Sequence, residues 1–212
     1  MTLHHHETNW RVEYETDPIR IRDPVAEALA VLDPGDPFVI TYADVVKIAG
    51  HSCPTAAGAF RLTRDALAEL YPDDLPVRGD VEVLVPGSKA DASYGVTSRI
   101  VSYVTGAAEE DGFAGLAGGH GGRQGLLSFD AFAVERPEPT LRFRRTDTGE
   151  TVEVVYHTDR IPEGGPALQS LPKLIDGTAG AEERAAFRDA WHARIRAVLA
   201  DEDIVTARSL SA

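Results

Sequence analysis

The sequence predicts an α+β fold: a single domain with a mixed or antiparallel sheet packed by helices, and an amphipathic helix near its C-terminus. Three observations carry this. Pro54–Leu70 and Glu182–Ala200 place apolar residues at helical spacing. Asp80–Val85 is a short apolar run bounded by Pro86-Gly87-Ser88, which reads as a strand. Leu141–Arg144 and Thr151–His157 alternate on either side of Asp147-Thr148-Gly149, which reads as a hairpin.

Composition sets the outer limits. The 212 residues suit one domain that buries a core without disulfide support. A single cysteine excludes an intrachain disulfide and a four-cysteine zinc site, and fits a reducing, cytoplasmic setting. No apolar run reaches membrane-spanning length, and the N-terminus lacks the layout of a signal peptide. The net charge of -13 argues against nucleic acid as a partner, because phosphate would be repelled. The predicted division is an N-terminal arm over residues 1–20, a core over 21–160 and a helical extension over 161–212.

Taken in order, His4-His5-His6 reads as an unstructured start or a cloning remnant. Arg11–Tyr14 alternates and reads as an edge strand. Asp23-Pro24 opens a helix that carries Val25, Ala28, Leu29 and Leu32, and the Pro- and Gly-rich residues 33–37 stop it. Phe38–Thr41 reads as a buried strand, and Thr41–Gly50 as a short helix closed by its glycine. A further helix runs from Ala92 to Val104, and Leu126–Val134 is strand-like. Ala167–Ile175 is a weak helix, and the tail from Asp201 reads as frayed or as docked on a partner.

The chemistry concentrates at Gly50-His51-Ser52-Cys53-Pro54, in the break between two helices. Proline suits the first helical turn, so Cys53 falls near the N-cap, where free N–H groups and the helix dipole favour a thiolate. Imidazole and sulfur this close can reach a common ion or share a proton. The plain alternative makes Cys53 a small buried hydrophobe and His51 a hydrogen-bonded loop residue. A second unusual stretch, Gly112–Gly125, holds His120 between glycines, with Arg123 beside it. So much glycine is costly in conformational entropy, and either close approach to a ligand or plain mobility accounts for it. It is neither a phosphate-binding P-loop nor a dinucleotide fingerprint. Gly119, His120, Gly121 and Arg123 are candidate cofactor contacts, with Arg123 suited to a carboxylate or phosphate.

The central stretch resembles the His-Gly-His-x-Cys-Pro-Gly signature of the FmdE family, proteins related to one of the subunits of formylmethanofuran dehydrogenase. The likeness runs on through Asp80–Val85, Asp91-Ala92, Thr105-Gly106 and the glycines near Gly118–Gly125, so it covers the middle of the chain. The first family histidine is Ala49 here, the glycine after proline is Thr55, and Gly87–Ala90 stand where a further cysteine often lies. The C-terminal cysteine zinc finger of many members is absent. The resemblance implies an FmdE-like core over 21–160, a homodimer, and a metal or small-cofactor site at the His/Cys motif. It adds Lys89 and Asp91 as substrate or cofactor contacts through segment order alone, and it implies no particular reaction.

Three readings of function follow. In the first, His51, Cys53 and His120 bind Zn, Ni, Fe or Cu, or a haem, at a redox or Lewis-acid centre with an open position for a small molecule. In the second, Cys53 is a metal-free nucleophile with His51 or His120 as its base. In the third, the chain is a non-catalytic accessory protein of a larger assembly.

Overall fold

The computed structural model describes residues 8–210. Strand β1 (Ile19–Ile21) leads into helix α1 (Pro24–Ala28), then β2 (Phe38–Ile40), α2 (Tyr42–Ala49) and α3 (Pro54–Leu70). The chain continues through β3 (Val81–Leu84), α4 (Ala92–Thr105), β4 (Leu127–Ser128), β5 (Thr140–Arg145) and β6 (Thr151–Tyr156). It ends with α5 (Leu171–Ile175), α6 (Ala181–Ala200) and β7 (Val205–Leu210). Five strands form a mixed sheet in the order β4-β3-β5-β6-β7, and β1 pairs with β2 apart from it. Within that sheet only the β3–β4 pair is parallel. The predicted α+β class is the observed one.

Helix α3 is the axis of the packing. Ala56, Ala57, Ala59, Phe60, Leu62, Ala66 and Leu67 are all buried, against the sheet on one side and α4 and α6 on the other. Small residues at 56–59 let the first turns of α3 approach the sheet closely, so the helix start is fixed by tertiary contact as well as by its cap. The end of α6 is fixed from α3. Buried Arg61 donates to the carbonyls of Val198, Leu199 and Asp201 at 2.9–3.0 Å, satisfying groups that a helix end leaves unpaired.

Several elements differ from expectation. Residues 11–14 form no strand; β1 lies further on, where Ile19 and Ile21 face inward. Helix α1 stops at Ala28, leaving Leu29 exposed. The strand expected over 126–134 is only two residues long, because Asp130 takes a left-handed backbone (φ 51°) and turns the chain. From Asp201 to Leu210 the chain is not frayed: β7 pairs along its whole length with β6, so the segment after α6 contributes a sheet strand. The histidines at 4–6 lie outside the described residues. Among the described residues, no helix is long and apolar enough to cross a membrane.

Candidate functional site

Helix α2 ends at Gly50, which takes the left-handed conformation (φ 73°) that a side chain disfavours. Three residues then reverse the chain into α3. Cys53 is the N-cap of α3 with Pro54 behind it, and its Sγ accepts the Ala56 N–H at 3.4 Å. Sulfur thus occupies the place where a capping oxygen is usual. The residue is half-buried and packs against the edge of the core.

His51 is exposed, and its Nδ1 lies 2.9 Å from the Ala49 carbonyl. A carbonyl only accepts, so Nδ1 carries the hydrogen; in the neutral ring, Nε2 then holds the lone pair. Nε2 has no hydrogen-bond partner among the described residues.

Ser52, between these two, is gripped from several directions. Its hydroxyl bonds the Tyr42 hydroxyl at 2.9 Å, and its carbonyl accepts the Trp191 indole N–H at 2.9 Å. Tyr14 of the N-terminal segment packs edge-on to Tyr42 at 5.2 Å and hydrogen-bonds His192 Nδ1. On the far side, the Tyr156 hydroxyl donates to the Pro54 carbonyl at 3.0 Å. Burial pushes the Tyr42 and Tyr156 phenols well above their ordinary range, and a charge on the adjacent Cys53 would push both higher. Burial likewise raises the Tyr14 phenol. At neutral pH all three are protonated. The turn that carries Cys53 is therefore braced by neutral hydroxyls, at the Ser52 side chain and at the Pro54 carbonyl.

The other sequence candidates go elsewhere. His120 is exposed and directs Nε2 to the Pro24 carbonyl at 3.3 Å, at the start of α1. Its loop lies hard against that helix: a Cβ at Gly121 would sit 2.3 Å from Val25 Cγ2, and Gly119 accepts the Gly122 N–H in a tight turn. The glycines are thus accounted for in part by close approach to α1. Arg123 is held by Asp23 at 2.6 Å; Asp23 also caps α1 and faces Arg78 at 3.5 Å. Lys89 is paired with Glu109, and Asp91 caps α4 through the Ser93 and Tyr94 amides. Among the described residues, no three His, Cys, Asp or Glu side chains gather as an ion-binding group. His120 therefore does not join His51 and Cys53 in one ligand set within a chain.

Sequence reasoning does not anticipate Tyr14, Tyr42, Tyr156, Trp191 and His192 as neighbours of the motif. Trp191 also packs against the core. Nothing local flags these neighbours, because Ser52 and Trp191 are 139 positions apart and Tyr14 and His192 are 178.

No protein-family model and no curated protein matches the chain.

Proposed function

We propose that the break between α2 and α3 binds a transition metal or metallo-cofactor, with His51 Nε2 and Cys53 Sγ as the protein's donors, in a protein of the FmdE type. The observation that carries this is the His51 hydrogen bond. Metal-binding histidines usually donate their second ring N–H to a carbonyl or carboxylate, which fixes the tautomer and turns the free nitrogen outward. The Ala49 carbonyl is such a partner for His51.

The donor set fits this class of ion. Thiolate with imidazole suits Zn, Ni, Cu or Fe, and two donors leave positions for a small molecule or for groups from a second copy of the chain. A bound ion supplies Lewis-acid or redox chemistry. The chain's part is to hold both donors at adjoining helix ends and to brace the turn between them through Ser52 and the Pro54 carbonyl. A reducing compartment suits the one cysteine, which is a free thiol. The thiol-nucleophile reading has less support: Sγ hydrogen-bonds only the Ala56 amide among the described residues, so no base is in contact with it. A homodimer rests on the FmdE resemblance and is checked by light scattering.

The test is metal analysis of the full chain with His4, His5 and His6 replaced by alanine. Stoichiometric metal that is lost in both Cys53→Ser and His51→Ala supports the proposal, as does a cobalt–thiolate absorption band lost in Cys53→Ser. A Soret band lost in the same variants makes the group haem. Metal content indifferent to both substitutions overturns the proposal, and rapid metal-independent alkylation of Cys53 then favours the nucleophile.

A further inference from the structure

The end of α3 opposite Cys53 opens on a trough that the proposed metal site does not use. Two adjoining cavities of about 550 Å³ each share Tyr71, Asp73, Asp74 and Arg145. Their walls carry the carboxylates of Glu69, Asp73, Asp74, Asp80 and Glu150, none paired with a cation among the described residues. The two guanidiniums in the walls are already engaged, Arg22 with Glu27 and Arg145 with Asp147. Helix α3 adds to the field. It ends at Leu70 with no basic residue in its last turn, so its free carbonyls present the negative end of the helix dipole. Among the described residues, Arg145 is the one side chain that reaches in, to the Leu70 carbonyl at 3.4 Å.

A second observation is independent of the acidic side chains. Tyr71 is 7% exposed and forms part of both cavities, yet its hydroxyl has no hydrogen-bond partner among the described residues. A buried hydroxyl without a partner is costly, and natural folds rarely leave one so. Arg145 covers the ring face at 4.3 Å, while the charges acting on the phenol are Arg145, Asp147 and Asp80, the groups of the second cavity. Burial and the facing Asp147 push the Asp80 carboxyl up, against Arg145 and Arg22, so this wall favours an added positive charge.

We propose that this trough binds a linear aliphatic polyamine, whose ammonium groups meet the unpaired carboxylates along it beside Tyr71, the residue with a buried, unpartnered hydroxyl that is common to both cavities. A compact metal ion is the wrong shape, because no three of these carboxylates converge on one point. The charge is distributed along the trough, and a chain of spaced ammonium groups distributes its charge in the same way. The site is independent of His51 and Cys53.

Calorimetric titration of the full chain with spermidine tests this, at low salt and at about 0.15 M salt. Saturable binding is expected at both. The Asp74→Asn/Asp80→Asn double variant should bind about tenfold more weakly, and Tyr71→Phe should also weaken binding. Glu163→Gln/Asp176→Asn removes the same charge away from the trough and should leave affinity unchanged. Circular dichroism and thermal melts establish that each variant is folded. Equal weakening by both double variants, or equal displacement by magnesium at matched ionic strength, means diffuse attraction to an acidic protein and overturns the proposal. Retained affinity in Asp74→Asn/Asp80→Asn overturns it as well. So does binding of a lysine-rich peptide without any binding of spermidine.

Discussion

Trp191 on α6 donates its indole N–H to the carbonyl of Ser52, the residue between His51 and Cys53, across 2.9 Å. The bond ties the C-terminal helix to the α2–α3 turn and fixes the peptide that links the two proposed donors. Trp191→Phe keeps an aromatic ring stacked on Phe187, which lies 5.7 Å away, but removes the N–H. It should cost about 1 kcal/mol in a denaturant melt. It should also weaken metal retention and speed alkylation of Cys53. Loss of stability with unchanged metal content and alkylation would confine Trp191 to packing.

Gly58 faces the Tyr156 ring, and a Cβ there would lie 2.3 Å from Tyr156 Cε1. Gly58→Ala must displace the tyrosine, whose hydroxyl holds the Pro54 carbonyl at the start of α3. Overpacking of this kind costs about 1–3 kcal/mol, which thermal denaturation will read. Because the displaced ring borders Cys53, the same variant should alter thiol accessibility. Tyr156→Phe, which keeps the ring and loses the donor, should destabilise less.

Arg61 is buried and holds three carbonyls at the end of α6 while it faces Asp65 at 3.2 Å. Arg61→Met leaves those carbonyls without this donor, while Asp65 keeps Arg64 at 2.8 Å, and should cost about 1–3 kcal/mol. Arg61→Lys should recover only part of this, since one ammonium cannot copy the planar fork. Equilibrium unfolding in urea measures both. Equal stability of the lysine variant and the native chain would show that charge alone, without geometry, caps α6.

His192 sets a pH dependence. Burial pushes its imidazole below its ordinary value, helped by Arg196 and Arg188 and opposed by Asp189; Tyr14 is its hydrogen-bond partner. The folded chain therefore binds this proton less tightly than the unfolded chain, where histidine titrates near about 6.5. The contribution of the neutral ring is complete above that value. It falls away as the pH drops through it, and levels off below the folded value. Stability should decline from about pH 7 to pH 5, and His192→Gln should flatten that part of the curve. An unchanged slope in the variant would assign it to other groups.

Much of the fold is legible in the sequence because its signals are local. Cys53-Pro54 opens α3 and Tyr71-Pro72 closes it, and a cap and a proline act on the nearest turn whatever surrounds them. Thr140–Tyr156 alternates about a turn and forms the β5–β6 hairpin. The strand at Leu127 is shorter than its residue pattern suggests, because nothing in that pattern marks a left-handed Asp130. β7 carries no such local signal, because a strand with charged and small residues is specified by the neighbour it pairs with, β6.

Local rules alone put His51 and Cys53 at the junction of two helices, since caps, proline and glycine act over a few residues. What surrounds them is a matter of tertiary packing. Packing brings Tyr14, Tyr156 and Trp191 from distant parts of the chain to Tyr42, Pro54 and Ser52, and it anchors the loop of His120 on α1. Those placements depend on which apolar faces bury one another. That choice belongs to the whole chain, because each face has several possible partners until all are packed together.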